Sequence, residues 1–346
     1  MRQTHILGSS DLAITPICLG TMTFGEQTPE HDAFAQLDLA IERGINFIDT
    51  AELYAVPPVA KTYGATETII GKWLKRKDRE RLVLATKVAG PGRTMPWIRS
   101  GSLNFTPSNI RSALEASLRR LQTDYIDLYQ LHWPDRNQPM FGQWQYDPAN
   151  ERDSTPIKAQ LEALAELVNE GKIRAIGLSN EHPWGVMQFI HHAENLGLPR
   201  VVSIQNAYNL LNRTFEVSLT EVCHRENLGL LAYSPLAFGH LTGKYLDNTQ
   251  AEGRVTRFTG FGQRYSKPGS SVATSAYCSL AREHALTPTQ LALAFVRSRW
   301  FVTSTIVGAS SVAQLEEDLT ACEVTLSNEV LDQIDRLYLL HGSPAP

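Results

Sequence analysis

Cysteine is scarce: four residues in 346, at positions 18, 223, 278 and 322, with no two close enough for a C-x-x-C pair. That excludes a disulfide framework and a thiolate metal site, and buried free thiols are the expectation. Long apolar runs are missing as well. None approaches the ~20 residues that a membrane-spanning helix requires, and Met1–Ser10 (MRQTHILGSS) has no apolar core of a secretory signal. Neither N-x-T triplet, at Asn104 and Asn212, is therefore expected to carry sugar, and a cytoplasmic protein with no membrane contact is expected. Charge of one sign is also lacking. The net charge is -4 with both signs interspersed, so nothing resembles the basic stripe of a nucleic-acid binder. The run Lys72–Arg81 mixes acids with its basic residues and contains Trp73 and Leu74, which suits the solvated end of a helix. His and Cys never cluster at metal-ligand spacing. His191 and His192 are adjacent on a helix and point apart, so a metal-free site is expected.

The chain alternates short β-rich runs with helical stretches, the pattern of a parallel sheet covered by helices. The strand candidates are Thr15–Gly20, Ile45–Asp49, Leu82–Lys87, Tyr125–Leu131, Ile173–Leu178, Val201–Gln205, Gly229–Tyr233 and Ser304–Val307. Helical periodicity runs over Ala33–Glu42, stopping at Gly44, and over Ile110–Leu121, with Ser108 or Asn109 as cap. It recurs over Ile157–Glu170, Pro288–Arg297, Val312–Leu319 and Asn328–Leu340. Eight strands, most followed by a helix, predict an α/β protein of (β/α)8 TIM-barrel type, one domain over residues 1–346. An open doubly wound sheet would carry G-x-G-x-x-G after its first strand. Here Gly20–Gly25 lacks that spacing, and Gly260–Tyr265 fails at its last position and follows no strand. Three segments exceed the bare repeat: a leader hairpin turning at Gly8–Asp11, a proline-containing insertion over Tyr54–Tyr63, and a long polar, Gly-rich loop over Leu241–Ser271. Extra helices are expected beside the barrel, and loops this long usually serve binding.

Active sites of such barrels lie at the C-terminal ends of the strands. Those ends carry Asp49, Lys87, His132, Ser179, Asn180, Gln205, Ser234 and Gly308. Each alone has an ordinary explanation, as a cap, a counter-ion or a satisfied loop residue; together, at successive strand ends, they point to a site. The apolar stretch before Lys87 puts its ammonium in the barrel wall, where it needs a carboxylate, and Asp49 on the neighbouring strand is placed to provide one. Tyr54 can reach the same place, and a lysine cation beside a phenol is expected to lower its pKa from ~10. His132 can donate a hydrogen bond to a substrate oxygen. This equipment protonates a carbonyl oxygen.

The stretch Gly44-Ile-Asn-Phe-Ile-Asp49-Thr-Ala-Glu-Leu-Tyr54 resembles the signature of the aldo-keto reductases. So do the runs ending at Lys87 and at His132, Gly177-Leu-Ser-Asn180 and Tyr233-Ser-Pro-Leu-Ala-Phe-Gly239. The resemblance extends from Leu19 to Tyr338. It is nearest to the bacterial Tas-type branch, through Gly20-Thr-Met-Thr-Phe-Gly-Glu-Gln27, the Val56-Pro57-Pro58 insertion and the Pro-Ala-Pro tail. It implies reduction of aldehydes or ketones with NADPH, NADH being less favoured. Tyr54 is implied as general acid, Lys87 and Asp49 as the pair that tunes it, and His132 as the residue that orients the carbonyl.

The cofactor contacts it implies begin with Thr21 and Met22 at the first strand exit. Ser179, Asn180 and Gln205 would hold the nicotinamide carboxamide, and Tyr233 would stack on its ring. Ser234, Pro235, Leu236 and the backbone to Gly239 would line the pyrophosphate. Lys244 and Arg254 would meet phosphates, and Gly308, Ser310, Gln314, Glu317 and Asp318 the adenosine end. Two departures stand out. Ala55 follows Tyr54 where glycine is usual, and a Tyr-Gly pair recurs at Tyr63-Gly64, so either tyrosine is open as the acid, with Tyr54 favoured by its spacing from Asp49. The usual Glu-Asn pair is Glu317-Asp318 here, and an ionised aspartate accepts but cannot donate. Substrate selection is expected from the loop after the first strand, the 55–63 insertion, Met140–Asp153 with Trp144 and Tyr146, and the C-terminal tail. The only partner expected is a small carbonyl substrate. Two other readings share the barrel: a Schiff-base aldolase using Lys87, and a redox-sensing regulatory subunit that binds cofactor but turns over slowly.

Overall fold

The computed structural model describes residues 3–246, Asn248 and 250–346. Eight parallel strands close into a barrel: β3 (Ile17–Gly20), β4 (Phe47–Asp49), β5 (Val83–Val88), β6 (Ile126–Leu131), β7 (Ile173–Ser179), β8 (Val201–Ala207), β9 (Gly229–Tyr233) and β10 (Val302–Val307). Closure is through β10 and β3, with Ile306 opposite Cys18. All eight expected strands are present, their ends within a few residues of the sequence reading. The leader forms the expected hairpin, with β1 (His5–Ile6) antiparallel to β2 (Ala13–Ile14). It caps the N-terminal end of the barrel so closely that a Cβ on Gly8 (φ +54°) would lie 2.2 Å from the Val202 carbonyl oxygen.

Alternation along the strands divides the core in two. Ile48, Leu84, Tyr129 and Leu230 belong to a layer shared with the surrounding helices. Cys18, Phe47, Val83, Ala85, Leu128 and Leu231 fill the barrel interior, with Leu7, Leu12 and Ile14 from the hairpin beneath. Two residues beyond Phe47, Ala85 and Leu128 the same alternation reaches Asp49, Lys87 and Gln130. The top layer of the interior is therefore polar and buried.

The helices are α1 (Glu30–Glu42), α2 (Ala65–Leu74), α3 (Pro107–Leu121), α4 (Ile157–Asn169), α5 (Pro183–Leu196), α6 (Phe215–Glu226), the short α7 (Arg254–Arg257), α8 (Pro268–Glu283), α9 (Pro288–Arg297), α10 (Val312–Ala321) and α11 (Asn328–His341). Helices α8 and α11 pack together as the extra pair. Three local expectations need correction. Helix α3 starts at Pro107 behind Thr106, not behind Ser108 or Asn109. The fixed φ of proline suits the first helical turn, where its missing N–H costs nothing, and Asn109 instead donates from Nδ2 to the Asn104 carbonyl oxygen at 3.1 Å. The basic run is helical only to Leu74. Trp73 and Leu74 are buried, and Arg79–Arg81 form a separate 3-10 turn. The long loop ends at Lys267, because Pro268–Ser271 already lie in the first turn of α8. All four cysteines are free and buried, and no described helix is long and apolar enough to cross a membrane.

Candidate active site

The strand register sets the site. Gly20 pairs with Asp49, Asp49 with Ala85, Lys87 with Gln130, and Ser179 with Gln205. Residues distant in sequence thus meet in one layer at the C-terminal rim. Lys87 donates to Asp49 Oδ2 (2.6 Å), to the Thr50 carbonyl oxygen (2.8 Å) and to the Tyr54 hydroxyl oxygen (3.4 Å). Asp49 Oδ1 accepts from Gln205 Nε2 (2.8 Å) and Gln130 Nε2 (3.2 Å). The carboxylate therefore has partners on both oxygens, as a buried charge requires. Burial alone would push the Lys87 ammonium down, but the Asp49 carboxylate and then the Tyr54 phenol outweigh it, and its pKa stands above the ordinary lysine value. Lys87 stays a cation, which removes the free amine that a Schiff-base aldolase needs.

Tyr54 corrects the sequence reading. Lys87 does pull its pKa down, but burial pushes harder the other way and Asp49 adds to it, so the phenol sits above its ordinary value. A cation 3.4 Å away is a smaller influence than removal of the hydroxyl from water. Burial, then Lys87 and Arg93, hold His132 well below the usual histidine range, so its ring is neutral. That ring lies edge-on to Tyr54 with centroids 5.8 Å apart, and its Nδ1 is buried without a partner.

A cavity of about 1140 Å³ opens above this layer and runs across the barrel mouth. Asp49, Tyr54 and His132 line its floor, and Lys87 lies fully buried beneath them. Every other residue singled out in the sequence as cofactor-binding lines the same cavity. Thr21 and Met22 come from the β3 exit, and Ser179, Asn180, Gln205 and Tyr233 from the rims of β7, β8 and β9. Ser234, Pro235, Leu236, Gly239, Lys244 and Arg254 follow β9, and Gly308, Ser310, Gln314, Glu317 and Asp318 follow β10. Asn180 is positioned on both sides: it donates to the His132 carbonyl oxygen (2.9 Å) and accepts from the Tyr233 hydroxyl (2.6 Å). The 234–239 segment is no ordinary turn, since Ser234, Ala237, Phe238 and Gly239 all have positive φ.

Lys244 donates to the Glu252 carbonyl oxygen at 3.1 Å. Among the described residues no carboxylate lies within ion-pairing distance of Arg254 or Lys244. Burial pulls Arg254 down to about 10, its Nε is buried without a partner, and its guanidinium lies 5.1 Å from the Phe238 ring centroid. Burial and then Arg254 lower Lys244 as well. At the far end Asp318 is buried, and desolvation followed by Glu317 raises its pKa to about 7.

Tyr63 does not line the cavity. Its ring packs under Arg120, whose guanidinium carbon is 5.1 Å from the centroid. Trp144 (74% exposed) and Tyr146 (49%) also stay outside, covering surface, and the aromatic wall comes from Trp133, Phe141 and Phe261 instead. The C-terminal tail turns away as well: Ala345 donates to the Leu211 carbonyl oxygen (3.0 Å) and Ser343 Oγ accepts from the Arg213 amide (2.9 Å). The β3 loop and the insertion do contribute, through Met22, Gln27, Val56 and Pro58. The sequence reading missed Gln130, although a glutamine inside the apolar β6 run was a legible signal. It also missed Arg93, Phe261 and Arg264, which sit in loops whose return to the cavity no local pattern announces. The 260–265 glycine cluster, rejected as a dinucleotide fingerprint, lines the cavity by another route.

A closed parallel barrel with a buried lysine, carboxylate and phenol at the floor of a long cavity is a barrel enzyme equipped for proton transfer. The chain belongs to the Aldo/keto reductase family, whose model matches residues 16–339. It is 48% identical to Protein tas of Escherichia coli (strain K12) over 99% of this chain and 100% of that protein. It is 33% identical to the uncharacterized oxidoreductase YrpG of Bacillus subtilis (strain 168), over 98% and 97% of the two chains. It is 30% identical to the NADH-specific methylglyoxal reductase of Escherichia coli (strain K12), over 93% and 94%. The protein is thus an oxidoreductase of a carbonyl-reducing family.

Proposed function

We propose that the protein reduces aldehydes or ketones to alcohols with NADPH, with Tyr54 as the acid that protonates the carbonyl oxygen. The observation that carries this reading is the Asp49–Lys87–Tyr54 chain of hydrogen bonds under the cavity floor. NADPH supplies hydride to the carbonyl carbon when bound. Tyr54 holds its proton at neutral pH because its pKa is raised, and Lys87 fixes the position of its oxygen. Neutral His132 donates an N–H to the same carbonyl oxygen, so two donors meet the charge that develops there. Desolvated donors at a developing oxyanion are worth ~3–4 kcal/mol each by comparison with other enzymes.

The residues present fit this cofactor. The positive-φ segment 234–239 forms a backbone concavity of the kind that accepts anions. Arg254 carries a buried Nε with no partner, which a phosphate oxygen would satisfy. One relative is named as NADH-specific, so the choice of NADPH, which alone carries a 2′-phosphate, rests on Lys244 and Arg254 of this chain. Loss of NADPH absorbance with a panel of aldehydes and ketones tests the reaction. Dissociation constants for NADPH and NADH test the choice: NADPH binds tighter in the parent, and Arg254→Ala loses about tenfold of that preference, ~1.4 kcal/mol. Binding of NADPH with no turnover of any carbonyl would restore the regulatory-subunit reading, and equal constants would refute the NADPH preference.

A further inference from the structure

The cavity holds a second pair of cations, away from Lys244 and Arg254. Arg93 follows β5 and Arg264 lies in the loop after β9, and both line the cavity. They converge on one ring: the Arg93 guanidinium carbon is 4.3 Å from the Phe141 centroid and that of Arg264 is 5.8 Å from it. Arg93 also lies 5.2 Å from the Trp133 ring centroid. An aromatic face attracts a guanidinium, but two on one ring repel each other. Among the described residues no carboxylate lies within ion-pairing distance of either. Burial against the rings, and the Arg264 charge beside it, pull Arg93 below the ordinary arginine value. Arg264 differs: burial lowers its pKa, but the Tyr233 and Tyr265 hydroxyls outweigh burial and hold it above the ordinary value, so the cost of an absent counter-ion falls on Arg93.

Their position relates them to the proton donor. Tyr54 meets His132 (5.8 Å between centroids), His132 meets Trp133 (5.0 Å), and Trp133 carries Arg93 on its ring. The cations thus connect to Tyr54 through His132 and Trp133, on the aromatic side of the cavity formed by Trp133, Phe141 and Phe261. The loop that carries Arg264 is tied to the loop after β6 that carries Phe141, since Lys267 donates to the Gly142 carbonyl oxygen at 3.0 Å. A Cβ on Gly142 would lie 2.9 Å from Arg264 Cβ, so the loops are in close contact. Phe141, the ring that both guanidinium groups approach, is thereby held beside Arg264.

We propose that Arg93 and Arg264 select carbonyl substrates bearing a carboxylate, separated from the carbonyl by a short apolar or aromatic spacer. This rests on the reductase reading and adds the substrate class. A planar carboxylate matches the guanidinium fork, and the aromatic lining of Trp133, Phe141 and Phe261 suits an apolar or aromatic spacer. The test compares 4-carboxybenzaldehyde with its methyl ester, which keeps shape and aldehyde but removes the charge. At low salt the parent shows kcat/KM at least tenfold higher for the acid, and added salt narrows the gap. Arg93→Gln lowers the acid-to-ester ratio at least tenfold, and Arg264→Gln lowers it in the same direction. Equal kcat/KM for acid and ester in the parent, or a ratio that Arg93→Gln leaves unaltered, overturns the proposal. Calorimetric titration with 4-(hydroxymethyl)benzoate needs no turnover and separates the two claims. If no carbonyl is reduced but this acid binds and Arg93→Gln weakens binding at least tenfold, the carboxylate site stands and the reductase reading falls. No binding and no turnover sinks both.

Discussion

Tyr54 and Tyr63 stand at opposite ends of one insertion, yet only Tyr54 comes within 3.4 Å of the Lys87 ammonium. Removing a proton donor weakens the transition state far more than cofactor binding. Tyr54→Phe is expected to lose nearly all turnover while still quenching NADPH fluorescence, and Tyr63→Phe to keep turnover within about tenfold, ~1.4 kcal/mol of barrier. A dead Tyr63→Phe beside a live Tyr54→Phe would reverse the assignment. The acid must be protonated for reduction and its pKa is raised, so the parent's reduction rate should stay level from neutral pH and fall only above pH 10. Asp318 gives a second test, read in stability. A buried acid with a raised pKa, here about 7, costs nothing below its unfolded value of ~3.9. The cost grows as pH rises between the two values and is complete above the folded one. Asp318→Asn removes it. The variant should therefore match the parent at pH 4 and exceed it at pH 8 by roughly 2–4 kcal/mol in urea denaturation. A difference that does not change with pH would contradict the buried-acid account.

At the scale of elements, helix α2 lies against the end of α3 at a separation that only glycine permits. A Cβ on Gly71 would lie 2.1 Å from the Arg120 carbonyl oxygen and 2.8 Å from the Leu121 carbonyl carbon, both backbone atoms that cannot rotate aside. Alanine would favour the helix by ~1 kcal/mol intrinsically, but overpacking against backbone costs about 1–3 kcal/mol or more. Gly71→Ala should therefore lower the unfolding midpoint, with a net loss of about 2 kcal/mol. An unchanged or raised midpoint would show that α2 and α3 can separate freely. The same pair carries the buried Glu67 carboxylate, which accepts from Thr86 of β5 (2.5 Å) and Arg120 of α3 (2.7 Å). Displacement of α2 would therefore be felt in the strand that holds Lys87.

The whole molecule separates its two ends. Asp127, in the stretch that led to His132 in the sequence, sits at the opposite end of β6. There its carboxylate accepts from Arg79 (2.7 Å), from Arg174 (2.7 Å) and from the Leu84 amide (2.9 Å). This network ties β5, β6 and β7 below the barrel, away from the cavity, where a barrel places stability and not chemistry. Both arginines reach solvent, at 16% and 41% side-chain exposure, which discounts the loss expected for a buried pair. Asp127→Asn should cost about 2–3 kcal/mol of stability, with kcat per folded molecule unchanged. Loss of kcat at full stability would place Asp127 with the chemistry instead.

Eight strands, their order and the polar residues at their exits were legible in the sequence, because alternation at period 2 and helical periodicity are properties of consecutive residues. Phe47 and Asp49, or Ala85 and Lys87, fix by spacing alone which side chains share the barrel interior. The pairing of Lys87 with Asp49 followed from neighbouring strands in a parallel barrel. Position in the fold decided the rest. The direction of the Tyr54 pKa depends on how completely the hydroxyl is removed from water, which no spacing reports. Which aromatics wall the cavity depended on where the loops after β6 and β9 fold back. Phe141 and Phe261 were brought in, and Trp144, Tyr146 and the tail were left out. Arg93 and Arg264 are 171 positions apart in the chain, and only closure of the barrel sets both guanidinium groups on one phenyl ring.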